Sequence, residues 1–312
     1  MESFLVAVNA VVPFLVYISL GFGVKKLGIV DEGFMGRLNQ VVFRVLFPFL
    51  MFYNMYQIDP EFVLNVRVLA LGTGMLLGQI LVLFVTVPRI VPGNPQRGVV
   101  IQAIYRSNFV LFAIPLTASV FGEENTTLAS MMVAIIIPIY NVVAVFVLEY
   151  FRGGKMRLPV VLRNVCTNPL ILGAMTGLVF FFLQIHLPAC IVKPISQFAG
   201  MTTPLALFVL GGTLHFSKIR GNAKYLVPAL GLKMVLFPVV VLALAVTAGF
   251  NSVERFVLFT MFATPVAASS YPMAQNMGGD GELAGEFVVV STVASIVTIF
   301  LWVFALKQMG MI

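Results

Sequence analysis

Residues 107–115 read SNFVLFAIP and residues 264–272 read TPVAASSYP, and these two stretches decide the fold. A displacement of 157 residues superposes one on the other, so that Pro115 matches Pro272. A displacement of 156 residues matches three further pairs: Pro13 with Pro169, Gly21 with Gly177, and Pro48 with Pro204. The chain therefore contains an internal repeat of about half its length.

Composition places this repeat in a membrane. Apolar residues make up 60% of the chain and charged residues 10%, with a mean hydropathy of +1.03, whereas soluble domains carry about 25% charged residues. Ten apolar runs approach the ~20 residues that cross a bilayer. We expect one five-helix repeat over 1–152, a second over 153–312, and no soluble domain. The runs are 4–24, 38–57, 64–87, 99–121, 128–150, 167–185, 195–214, 225–248, 255–277 and 285–308.

The basic residues predict the orientation. Fifteen of the 19 Lys and Arg residues, Arg106 and Lys233 included, flank the loops that follow odd-numbered runs, and the other loops are richer in acidic residues such as Asp59 and Glu61. By the positive-inside rule the basic loops are cytoplasmic. We therefore expect a multi-pass protein of the cytoplasmic membrane with both termini outside the cytoplasm. The segment before the first run, Met1-Glu2-Ser3, is acidic rather than basic, and the run is long enough to span, so we expect it to be retained rather than cleaved. The net charge of +7 is assigned to topology rather than to nucleic acid.

An odd number of helices per repeat makes the second repeat enter the membrane from the opposite side. The predicted fold is thus an all-α membrane protein with two inverted five-helix repeats. Inverted repeats of this kind are typical of secondary transporters, whose substrate site lies near the midplane where helices are interrupted. The sequence therefore indicates a transporter.

The fourth and ninth runs carry the matched interruptions. Proline removes a helical hydrogen bond, and in lipid every freed backbone group needs a new partner. If both helices break at one depth, helix N-termini meet there and favour an anion. A proline that only kinks a packed helix is the alternative. The candidate substrate-binding residues are Ser107, Asn108, Pro115, Asn141, Pro265, Val266, Ser269, Ser270 and Pro272.

Three segments resemble the auxin efflux carrier family of membrane transport proteins: Thr167-Asn168-Pro169-Leu170, the stretch PLALFVLGGTL at 204–214, and Ala263-Thr264-Pro265. The short basic loop between the repeats is similar to prokaryotic members. The resemblance implies crossing of spans four and nine, and an elevator motion of spans three to five and eight to ten. Spans one, two, six and seven would form a scaffold that often dimerises. Serine stands at 107, where the family often has proline.

The leading hypothesis is a carrier of a small organic anion, either a malate-like or malonate-like carboxylate or an auxin-like indole carboxylate. It would be energised by the membrane potential or by a coupled sodium ion or proton. The alternatives are a symporter of another amphipathic anion, such as a bile acid, and a membrane sensor without transport. An enzyme is not expected, since the runs contain no Gly-x-Ser-x-Gly or His-Glu-x-x-His motif. No cofactor or metal site is predicted.

Overall fold

The computed structural model describes residues 2–58, 65–152, 158–214 and 216–312, and these residues are helical without a β-strand. The predicted all-helical class is confirmed for this part of the chain. The expected repeat boundary at 153 and the loop residues Asp59 and Glu61 lie outside it. The described α-helices are α1 Glu2–Lys26, α2 Glu32–Val41, α3 Phe47–Tyr56, α4 Val66–Ile90, α5 Asn94–Tyr105, α6 Phe109–Phe121, α7 Thr127–Phe151, α8 Leu158–Cys166, α9 Pro169–Phe182, α10 Ala189–Thr213, α11 Phe216–Gly231, α12 Phe237–Thr247, α13 Ser252–Ala263, α14 Ser270–Asn276 and α15 Gly281–Gln308.

Within the described ranges, five helical stretches are long and apolar enough to cross a membrane. They become six if α8 and α9, which meet at a bend of 58°, form one span. The count of ten spans and their inverted arrangement stay predictions. The five stretches are Val66–Ile90, Thr127–Phe151, Ala189–Thr213, Ile219–Thr247 and Gly281–Gln308, and the fourth runs through a π-helical segment, Leu232–Leu236, between α11 and α12.

Close glycine contacts join the two parts of the chain. Helix α1 packs along α10, and α3 packs along α9. At Gly21 a Cβ atom would collide with the carbonyl oxygen of Phe208 on α10, and at Gly177 it would collide with that of Phe52 on α3. Small residues allow such approach in membranes, where van der Waals packing drives helix association. Because Gly21 matches Gly177 in the repeat, each half makes the same kind of contact with the other.

Helix caps fix the directions of the interrupted helices. Asn65 caps the start of α4 and donates to Glu254 at 2.7 Å, and Glu254 completes a capping box with Asn251 at the start of α13. At the other end of α4, α5 begins after a short turn, and there the Asp280 N–H donates to the Pro95 carbonyl at 3.1 Å. Since α4 is 25 residues long, α5 and α13 start about 38 Å apart along it. They approach each other from opposite ends of the molecule.

Candidate functional site

Two extended links interrupt helices in the middle of the molecule. The first link, residues 106–108, joins α5 to α6, and the second link, residues 264–269, joins α13 to α14. Pro265 explains the end of α13, because proline lacks an N–H and disfavours helical geometry at the preceding residue. Four helix ends converge on these links.

The links cross as an antiparallel pair. Ser107 pairs with Val266, the Asn108 N–H donates to the Pro265 carbonyl at 2.7 Å, and the Ala267 N–H donates to the Arg106 carbonyl at 3.3 Å. The Val266 N–H donates to the hydroxyl of Ser291 on α15 at 3.0 Å. These backbone groups of the two links thus find partners within the protein, as an apolar environment requires.

A cavity of about 470 Å³ lies against the crossing links, within the range of about 300–1,000 Å³ typical of small-molecule sites. Helices α1, α3 and α10 form one wall, and the links and α7 form the other. The first wall is mostly apolar, and it also carries the amides of Asn9 and Asn54. Its apolar members include Pro13, Phe14, Tyr17, Leu50, Met51 and Pro204.

Arg106 lies in the wall formed by the links. Its side chain is 3% exposed, and its guanidinium donates to Asn141 Oδ1 on α7 at 2.6 Å and to Met273 Sδ at 2.7 Å. Among the described residues, no carboxylate lies within 4 Å of the guanidinium, and no other charged side chain lines the cavity. Asn141 is itself fixed, because its Nδ2 donates to Met51 Sδ at 2.9 Å. A buried cation at membrane depth is costly and marks a functional site by default.

The start of α6 adds positive potential beside Arg106. Residues 109–111, the first turn of α6, line the cavity, and the first N–H groups of a helix lack partners within it. Asn108 precedes this turn and is 8% exposed, and in the described part of the chain its Nδ2 has no hydrogen-bond partner. A helix N-terminus and a guanidinium therefore lie at one cavity, with an unpaired amide donor buried beside them, and this arrangement suits a carboxylate.

The structure brings together some of the residues expected at the site. Ser107, Asn108, Asn141 and Ser269 line the cavity. The other candidates lie elsewhere: Pro265 and Val266 in the paired backbone of the second link, Ser270 and Pro272 buried within α14, and Pro115 on the exposed face of α6. The roles of all nine candidates in binding stay predictions.

Sequence reasoning missed two buried cations at this crossing. The positive-inside rule assigns Arg106 and Lys233 to loop flanks, although the place of Arg106 beside Ser107 also allows a role in substrate entry. In the structure, Lys233 is 0% exposed and its Nζ donates to Ser107 Oγ at 2.8 Å. Each carried a sequence signal. Arg106 adjoins the polar pair at 107–108, and Lys233 lies eight residues inside the apolar run 225–248.

Long apolar helices, two interrupted helices that cross, and a cavity at the crossing together define a membrane transporter. The chain belongs to the family of membrane transport proteins, whose sequence profile matches residues 6–157 and again residues 155–303. This match confirms the resemblance found in the sequence. An uncharacterized transporter of Methanothermobacter thermautotrophicus is 25% identical over 303 residues, covering 96% of this chain and 98% of the relative. An uncharacterized transporter of Methanocaldococcus jannaschii is 22% identical over 311 residues, with the same coverage.

Proposed function

We propose that this multi-pass membrane transporter is a secondary carrier of small organic anions, and that the carboxylate of its substrate binds at the crossing links. One observation carries the proposal. Arg106 is buried in the cavity wall, is oriented by Asn141, and has no carboxylate partner among the described residues. A substrate carboxylate would supply the missing counter-charge, through charge-assisted hydrogen bonds.

The cavity favours one class of carboxylate. Arg106 is the one charged side chain among the described lining residues, and the opposite wall is largely apolar. A second carboxylate, as in malate or malonate, would lie in this cavity without a second cation, at a large desolvation cost. We therefore expect a monocarboxylate with an apolar or aromatic body, such as an indole carboxylate, to bind more tightly than a dicarboxylate.

The proposal includes ten spans arranged as two inverted repeats. The two successive matches of the family profile support two repeats. The matching contacts at Gly21 and Gly177, and the opposite directions of α5 and α13, support their inversion. In this arrangement both termini lie outside the cytoplasm, and the protein resides in the cytoplasmic membrane.

For the transport cycle we propose an elevator motion. The cavity lies between α1, α3 and α10 on one side and the crossing links with α7 on the other. If the crossing helices slide as one body along α1, α3, α9 and α10, the cavity opens to each side of the membrane in turn. The static helices are also the proposed surface of a homodimer.

Uptake by purified protein in liposomes tests this function. We expect saturable uptake of indole-3-acetate or benzoate, weaker uptake of malonate and malate, and loss of uptake in Arg106→Gln. Arg89→Gln is the matched control, since Arg89 is an exposed arginine at the end of α4. Failure of every carboxylate to cross the wild-type liposomes, or full activity of Arg106→Gln, would contradict the proposal.

A further inference from the structure

The second buried cation, Lys233, does not line the cavity. It lies in the π-helical segment Leu232–Leu236 and is 0% exposed. No carboxylate of the described chain lies within 4 Å of it. The indole N–H of Trp302 donates to the Met234 carbonyl in this segment at 2.8 Å, so the irregular turn is held from outside its own helix. Single π-helical turns within α-helices frequently occur at functional sites.

The partners of Lys233 are oxygen atoms at the first link. Its Nζ donates to Ser107 Oγ at 2.8 Å and contacts the Ile104 carbonyl at 3.5 Å. Ile104 is in the last turn of α5, where carbonyls lack partners within the helix and carry the negative end of its dipole. The Gln79 amide approaches the same carbonyl at 3.4 Å. The ammonium therefore lies at the carbonyl end of an interrupted helix.

Carbonyls of unwound backbone and helix C-terminal ends are the groups that hold sodium in ion-coupled carriers with interrupted helices. Hydroxyl oxygens are ligands of the same hard type. At the first link such groups already contact the amino group of Lys233, which is covalently attached to the protein. When protonated, this group would offset the helix-end dipole without requiring an ion from solution.

We propose that Lys233 is the built-in cation of this crossing, which holds the end of α5 and orients Ser107, so that the carrier needs no sodium ion there. The inference goes beyond the proposed function, because it concerns ion coupling rather than the substrate. Its test uses no substrate. A failure of carboxylate transport would therefore leave it standing, and its own failure would leave the carboxylate site standing.

The test measures thermal unfolding of the full-length protein purified in detergent. For the wild type, we expect the same midpoint, within about 1 °C, in sodium chloride and in choline chloride at equal ionic strength. Lys233→Ala should lower the midpoint by roughly 5 °C or more, since it leaves buried oxygen atoms without their cation. Propylammonium chloride, which replaces the missing side-chain end, should restore at least about half of that loss. Neutral propanol at the same concentration should restore none.

Two variants separate charge from packing. Lys233→Met fills similar space without charge and should lose stability as Lys233→Ala does, with less recovery in propylammonium. Lys224→Met is the control, because Lys224 is an exposed lysine on α11 whose ammonium contacts only the face of the Tyr225 ring among the described residues. It should unfold within about 2 °C of the wild-type midpoint.

Two results would overturn the inference: a wild type stabilised by sodium over choline, or a Lys233→Met variant as stable as the wild type. If neither Lys233 variant yields folded protein, the wild-type comparison decides. Equal midpoints in the two salts would then support the built-in cation, and a sodium-specific increase would overturn it.

Discussion

The two links occupy equivalent places in the repeat, cross each other, and differ in chemistry. A displacement of 157 residues matches Arg106 with Ala263 and Asn108 with Pro265. The first link thus places a guanidinium and an amide at the cavity, whereas the second link has Pro265 at the position of that amide and contributes small residues to the cavity. The equivalent positions of the two links account for the crossed backbone, and the difference between the links provides the charge that we propose binds the substrate.

The glycine contacts show the opposite behaviour. Gly21 and Gly177 are matched in the repeat, and each abuts a backbone carbonyl of the other half. Equivalent close contacts between helices need a small residue in both halves of the repeat. Binding a single carboxylate needs a cation in only one half. Substitutions at the matched glycines and at the first link can test this division between a symmetric frame of packed helices and an asymmetric binding site.

Removing the charge of the first link should have the largest effect. We expect Arg106→Gln to weaken binding of indole-3-acetate or benzoate by about 100-fold, because loss of one partner of a buried charged pair costs about 2–5 kcal/mol. Calorimetric titration of the purified protein measures this change. Arg106→Lys should recover part of the affinity, and Arg89→Gln should bind as the wild type does. Wild-type affinity in the Arg106→Gln variant would contradict the claim that the first link binds the carboxylate through its charge.

Supplying an internal counter-charge should have nearly the same effect without removing the arginine. In Asn141→Asp, the new carboxylate would lie where the Asn141 Oδ1 now accepts from Arg106 at 2.6 Å. We expect it to compete with the substrate and weaken binding by about 30-fold, with unfolding temperature unchanged or raised. Asn141→Ala, which adds no charge, should cost only about tenfold. Equal affinities of the Asp and Ala variants would show that counter-charge is irrelevant.

A larger residue at either matched glycine should destabilise the protein. Gly21→Ala and Gly177→Ala should each destabilise the protein by about 1–3 kcal/mol, because each new methyl group overlaps a backbone carbonyl. Thermal unfolding measures the change. Gly23→Ala is the control on α1, since a Cβ atom there meets nothing within 4 Å among the described atoms. A wild-type unfolding midpoint in either Gly21→Ala or Gly177→Ala would argue against equivalent contacts.

The smallest effect is expected at Asn108. Its side-chain Nδ2 has no partner in the described structure, whereas its backbone N–H holds the Pro265 carbonyl and survives substitution. Asn108→Ala should therefore fold with normal yield and weaken carboxylate binding by about fivefold, the loss of roughly one hydrogen bond. Binding that stays unchanged would remove this amide from the site.

The sequence was sufficient for the helical class, the membrane location and the approximate place of each interruption. These features follow from composition, apolar run length and repeated helix breakers, all of which are local properties. The residues at which the interrupted helices end could not be predicted from the sequence. Helix α6 begins at Phe109 and continues through Pro115, because the loss of one helical hydrogen bond at a proline can be made good by neighbouring groups in a membrane protein.

The local sequence signals at Arg106 and Lys233 were not sufficient to predict their burial at the crossing, because their positions depend on distant partners. Arg106 meets Asn141 across 35 residues, and Lys233 meets Ser107 across 126. A basic residue near a predicted helix end is ordinarily a topological signal that extends to the interface. Only tertiary packing decides that these two side chains turn inward.

The central claim is that the crossing links bind a carboxylate through its charge. The most direct measurement compares benzoate with benzamide, which has a similar shape and no charge, by calorimetric titration of the wild type and Arg106→Gln. The account predicts saturable binding of benzoate to the wild type, at least about tenfold weaker binding of benzamide, and no preference between the two in Arg106→Gln. Equal binding of the two ligands by the wild type, or an intact preference for benzoate in Arg106→Gln, would contradict it.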